Sequence, residues 1–190
     1  MRPSFDTLES RESPGYAWGP SVTWSVVPDG TAWLGGRSTL RADLAARRPD
    51  WLDQIRAALA EWGRDLGLMF VEVADDGRPI GSESPVLRIG GNREDSNVLA
   101  RAYFPAPAHG SDISVNSAHD WSKDGFDLRS VILHEVGHAV ADLRDGESPI
   151  MSPSYRGPAN LTPRDVDAAL ASVVVDRGPA AILSKFGERT

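Results

Sequence analysis

Residues 130–141 read SVILHEVGHAVA, an apolar run with two histidines four residues apart inside it. Apolar residues on every side predict a buried helix, and a packed core is a poor place for two unligated imidazoles. A helical turn is 3.6 residues, so His134 and His138 project from one face and can hold one metal ion. Glu135 lies beside that ligand position, where a carboxylate can serve as general base. A bare HExxH also arises in helices that bind nothing. Here, however, two of the chain's four histidines fall within it. Gly137 inside the helix costs about 1 kcal/mol relative to Ala, which argues for a reason beyond helix formation.

The bulk composition narrows the setting. The 190 residues are enough for one domain with a real core. No cysteine is present, so disulfides, thiolate ligands and a cysteine nucleophile are ruled out. A net charge of −7 without a basic run argues against nucleic-acid or anionic-membrane partners. No apolar stretch approaches the roughly 20 residues needed to cross a bilayer, and the N-terminus MRPSFDTLESRESPG has no apolar leader core.

Residues 1–19 read as a polar, poorly ordered arm preceding one domain over 20–190. Alternation and turn signals predict strands over 22–27, 68–73, 86–90, 98–104 and 112–116. Trp51, Leu52, Ile55, Leu59 and Trp62 recur at helical spacing and predict a helix over 49–62, closed by Gly63 or Gly67. Residues 31–48 fit a loop followed by a short helix. A second main helix spans 127–141 with Asp127 as N-cap. A third starts at LTPRDVDAAL (161–170), where Thr162 caps, Pro163 follows and Asp165 completes a box. The last 15 or so residues fit another short helix. The order implies an α+β fold with a small mixed sheet.

Downstream of the histidines, SPIMSPSY (148–155) follows a short polar loop; upstream stand VLARAYFP (98–105), DISVN and Trp121. Together with HEVGH and LTPRDVDAAL, these segments resemble the matrixins, the matrix-metalloproteinase-like branch of the metzincin peptidases, over about residues 22–170. The resemblance implies a twisted mixed sheet with about three helices and a cleft between an upper and a smaller lower lobe. It implies one catalytic zinc held by His134 and His138, with Glu135 as general base and Met151 packed beneath the metal. Residues 152–155 would wall the pocket for the side chain after the scissile bond. Backbone groups of Leu99, Ala100, Arg101 and Ala102 would pair with an extended peptide substrate, and Tyr155 would position substrate or stabilise the oxyanion. Secretion is the family expectation, and a monomer acting on peptide or protein is the simplest arrangement.

One segment departs from the family. The metzincin pattern places Gly seven residues after the first histidine and His or Asp ten after it; here those positions are Ala141 and Arg144. Arginine offers no lone pair to a metal. Asp142, Asp145, Glu147 or no protein ligand remain. On a continued helix Asp142 would lie about 12 Å along the axis from His134, so the helix must break first. Asp visits the left-handed region more readily than Ala, so Asp142 can make the break, and Asp145 follows at the family's spacing of three. That reading favours Asp145. Latency is a separate matter: the family's cysteine switch is impossible here, and Asp6 or Glu9 in the arm could take its place at the zinc, though a flexible tail is the simpler reading.

A structural second zinc is not expected, because Ser114 stands where a histidine would be needed and only His109 and His119 lie nearby. Asp112, Asp120 and Asp124 could bind calcium, though a solvated acidic loop is the simpler reading. Two functions follow from the resemblance: a zinc endopeptidase, or a catalytically weak relative that binds peptides by its edge strand.

Overall fold

A computed structural model of the chain describes residues 3–8, 19–82, 86–104 and 111–177. Eight strands and four helices occur in these residues. They are β1 (Ser4–Leu8), β2 (Ser21–Val26), β3 (Ala32–Trp33), β4 (Gly36–Arg37), α1 (Leu40–Arg47), α2 (Trp51–Leu66), β5 (Met69–Glu72), β6 (Val86–Gly90), β7 (Val98–Tyr103), β8 (Ile113–Val115), α3 (Leu128–Ala141) and α4 (Pro163–Arg177). The architecture is α+β, with one helix more than the resemblance implies. The additional element is α1, which follows a two-strand hairpin (β3–β4) in the ambiguous 31–48 segment. The final short helix expected from the sequence falls largely in 178–190, outside the described residues.

Six strands form one mixed sheet in the order β1-β7-β8-β6-β2-β5. Strands β5, β2, β6 and β8 are mutually parallel, β7 runs antiparallel to β8, and β1 runs parallel to β7. Helices α2 and α3 pack against each other; α2 also contacts β5, and α3 contacts β7 and β8. Between them lies the core, including Trp24, Leu59, Trp62, Ile89 and Val136. The buried face of α2 follows the sequence pattern through Ile55, Leu59 and Trp62. The helix ends at Gly67, whose φ of 65° is the left-handed conformation that a C-cap glycine supplies without steric penalty.

One stretch of the arm joins this sheet. Residues Ser4–Leu8, which the sequence places in a poorly ordered segment, pair with β7 through Ser4↔Val98, Asp6↔Arg101, Thr7↔Ala102 and Leu8↔Tyr103. Strand β7 is therefore an interior strand, with β8 on one side and β1 on the other.

Helix α3 is buried along nearly its whole length, which explains its uniformly apolar sequence. Asp127 caps it by accepting the Ser130 N–H at 2.9 Å. Trp62 of α2 donates its indole N–H to the Leu133 carbonyl at 2.9 Å, joining the two helices. Gly137 has the packing reason that its helix position called for. A Cβ built there would lie 2.5 Å from the Met151 sulfur and 3.6 Å from the Trp62 ring. The absent side chain is the space Met151 fills.

A second buried arrangement braces the sheet. Arg88 of β6 makes a two-pronged pair with Asp75 at 2.9 and 3.1 Å, and Ser25 of β2 also donates to Asp75. Asp112, fully buried at the start of β8, accepts the Gly81 N–H at 2.8 Å, but the nearest Arg88 nitrogen is 3.9 Å away. Burial therefore dominates and pushes the Asp112 carboxyl up to about 7.

These contacts make two predictions. Gly137→Ala gains helix propensity yet should lower unfolding stability by about 1–3 kcal/mol through overpacking against Met151; stability equal to or above wild type in denaturant titration would contradict this packing. Between the ordinary carboxylate value and about 7, folded Asp112 keeps a proton that the unfolded chain has lost. Its contribution is thus fully present near pH 4 and is lost as pH rises through 7. Asp112→Asn should flatten that dependence and raise stability at pH 8 by about 2–4 kcal/mol, read from melting curves at pH 5 and 8; identical pH slopes in both proteins would rule it out.

Candidate metal centre

The centre begins with two buried imidazoles on α3. His134 is 1% and His138 0% exposed. His134 Nδ1 lies 2.9 Å from the Ile150 carbonyl, and His138 Nδ1 lies 2.6 Å from the Leu143 carbonyl. A carbonyl oxygen can only accept, so each Nδ1 carries the proton. In the neutral ring the lone pair then sits on Nε2.

Those two Nε2 atoms are 3.1 Å apart. Asp145 brings its Oδ1 to 3.3 Å from His134 Nε2 and 3.5 Å from His138 Nε2. Three lone-pair-bearing atoms facing one point repel unless a cation lies among them. Zinc binds nitrogen and oxygen ligands at about 2.0–2.1 Å, so neighbouring ligand atoms of a tetrahedral site lie about 3.3–3.4 Å apart. The observed separations fit that spacing. Among the described residues, this is the single group of three or more metal-ligating side chains brought together.

The electrostatics agree with that protonation pattern. Burial, opposed by Asp145 and reinforced by the neighbouring His138, pushes His134 below the usual imidazole range, which keeps the ring neutral.

The exit from α3 is what brings Asp145 in. Asp142 adopts a left-handed φ of 53°, ending the helix, and the Leu143 N–H returns to the Gly137 carbonyl at 3.0 Å. The chain reverses and presents the Leu143 carbonyl to His138 and the Asp145 carboxylate to both rings. Glu147 points elsewhere, accepting the Arg144 N–H at 2.8 Å, and Arg144 lies against the Phe104 ring at 5.9 Å. Met151 is fully buried and packs against Gly137 of α3. Glu135, adjacent to His134 on α3, is fully buried.

The cleft beside the centre is occupied by the chain itself. Leu99, Ala100, Arg101 and Ala102 belong to β7, which β1 covers. On its other side β1 meets the 152–155 segment: Ser4 bridges to Ser154, the Phe5 N–H donates to Pro153 O, and the Tyr155 N–H donates to Pro3 O. Phe5 stacks on the His134 ring with centroids 3.8 Å apart and lines a pocket of about 50 Å³ with Ser130, Ile150 and Tyr155. Tyr155 thus lines the cleft wall. Its hydroxyl accepts the Asp127 N–H at 2.9 Å, which ties it to the start of α3.

The remaining candidates fall outside the centre. His119 donates to the Val98 carbonyl at 3.0 Å and packs against Phe126; His109 lies outside the described residues. Asp112, Asp120 and Asp124 form no convergent group among the described residues, and Asp120 accepts the Ser122 N–H. The side chains of Asp6 and Glu9 also lie outside what is described. Sequence reasoning missed Phe5 and the carbonyls of Ile150 and Leu143, because nothing local to those residues marks what they face.

A profile of the matrixin family matches residues 39–171. Human matrix metalloproteinase-16 is 39% identical over 69 residues, 33% of this chain and 11% of that protein. Human matrix metalloproteinase-25 is 37% identical over 119 residues, covering 53% and 20% respectively. Karilysin of Tannerella forsythia is 29% identical over 116 residues, covering 54% and 24%. The chain thus spans about a quarter or less of the length of these relatives. A family match reaching from α1 into α4, across both the histidine pair and the turn beneath it, makes this chain a member of the matrixin family.

Proposed function

We propose that the chain is a zinc-dependent endopeptidase whose metal is held by His134, His138 and Asp145. The observation that carries this reading is the convergence of two Nε2 lone pairs and one carboxylate oxygen at tetrahedral spacing. Zinc, when bound, lowers the pKa of a coordinated water to about 7 and polarises a carbonyl.

The protein's own residues would do the rest. The Ile150 and Leu143 carbonyls hold both imidazoles in the tautomer that presents Nε2. Glu135 takes a proton from the attacking water as its oxygen adds to the peptide carbonyl. It then gives that proton to the amine nitrogen as the C–N bond breaks. Burial of Glu135 keeps bulk water from competing for the proton. An extended peptide would lie along β7 between Leu99 and Ala102, walled by 152–155. The competing reading, a silent peptide-binding relative, drew its support from the missing ligand at Arg144. Asp145 beside both imidazoles favours the peptidase reading over it.

A substrate strand and β1 need the same backbone groups of β7, so β1 must leave before a peptide can pair there. The full chain as folded is then a closed form, with Phe5 over His134.

Two experiments test this reading. Purified protein should bind one zinc and cleave members of a mixed peptide library. Glu135→Ala should keep the zinc but lose about 10²–10⁴ in turnover, while Asp145→Ala should weaken zinc binding by about tenfold or more. Cleavage that survives a chelator or Glu135→Ala would sink the mechanism. Separately, Phe5→Ala in the full chain should raise kcat/KM for peptides by about tenfold, given the stacking and burial it removes. An unchanged rate would mean that the arm does not limit access.

A further inference from the structure

Asp165 does more than cap α4. Its carboxylate is fully buried. One oxygen, Oδ2, accepts the Thr162 N–H at 2.7 Å and the Thr162 hydroxyl at 2.6 Å, which completes the helix start. Capping needs nothing further from this side chain. Yet Oδ1 accepts the Ile150 N–H at 2.7 Å, fifteen residues back along the chain. The carbonyl of that same Ile150 receives His134 Nδ1 at 2.9 Å.

We propose that Asp165 is a positioning residue for the metal ligand His134, acting through the backbone of Ile150; this rests on the reading of the centre as a zinc site. The turn that carries Ile150 is held from three directions. Within the turn, Met151 N–H donates to Ser148 O and Gly146 N–H donates to Met151 O. From beneath, the Met151 side chain abuts α3 at Gly137, so the turn cannot move inward. From outside, the Ile150 N–H has Asp165 as its acceptor. Ile150 is 7% exposed, so its N–H cannot turn to solvent where it stands. Without the carboxylate, that N–H is left buried and unsatisfied, and the turn can relieve it only by shifting outward. Such a shift carries the Ile150 carbonyl away from His134. The ring then loses the bond that fixes its tautomer and aims Nε2.

The two oxygens make the roles separable. Thr162→Ala removes a bond to Oδ2 and leaves the Ile150 bond to Oδ1 in place. Asp165→Ala removes both. Zinc affinity by chelator competition, the visible spectrum of the cobalt-substituted chain and the melting temperature are measured on full-length wild type and both variants. Thr162→Ala should lower the melting temperature and leave zinc affinity within about twofold. Asp165→Ala should weaken zinc binding by about tenfold or more and shift the cobalt bands, the scale seen when the support of a metal-bound histidine is removed. If Asp165→Ala does not fold, Asp165→Leu takes its place. It keeps the branched shape and fills the space but offers no acceptor to Ile150, so weaker zinc binding and shifted bands are again expected. A variant at 165 that only lowers the melting temperature, with zinc affinity and cobalt spectrum unchanged, overturns the proposal and leaves Asp165 a cap. A wild-type chain that binds no zinc contradicts the metal reading itself, an outcome distinct from wild-type binding that Asp165 fails to influence.

Discussion

The bonds from two imidazole Nδ1 atoms to two backbone carbonyls govern the centre. Each comes from α3 and ends on a segment that follows it, Leu143 for His138 and Ile150 for His134. They fix the tautomer of each ring, and the tautomer dictates that the two Nε2 lone pairs face each other with Asp145 beside them. A buried arrangement of that kind is unfavourable without a cation and favourable with one. In the proposed metal centre, whatever places those carbonyls also places the ligands: the left-handed Asp142, the Met151 side chain in the space left by Gly137, and the Asp165 carboxylate.

The sheet supplies the second constraint. Strand β7 offers hydrogen-bonding groups on both sides; β8 takes one side and β1 the other. An unpaired strand edge invites any extended chain, and here the protein's own N-terminal segment is the chain that answers. It reaches across to the 152–155 wall as well, so the same contacts that complete the sheet close the cleft.

Much of this was legible in the sequence wherever the signal was local. The HEVGH spacing, the alternation in β2, β6 and β7, the heavy periodicity of α2 and the Thr162–Asp165 box are all properties of short windows, and each element formed within a few residues of its expected bounds. The break at Asp142 followed by Asp145 was also readable, because the left-handed preference of Asp and a spacing of three are local facts. The tertiary partners were not. Nothing in SFDTL says that it will pair with β7, because a strand's partner is set by the surface it meets, and the polar residues around it hide the signal. Asp165 read as a cap because its second oxygen spends its bond fifteen residues away. The bond from the Asp127 N–H to the Tyr155 hydroxyl was equally invisible, since it joins positions 28 residues apart. Gly137 was visible as an anomaly, but only Met151 behind it gives the reason.

The most direct measurement is a crystal structure of the zinc-loaded protein with anomalous scattering recorded at the zinc edge. The account predicts one strong peak about 2.0–2.2 Å from Nε2 of His134, from Nε2 of His138 and from a carboxylate oxygen of Asp145. A peak bound by the two histidines with the Asp145 carboxylate beyond bonding distance, or no peak between those rings, would contradict it.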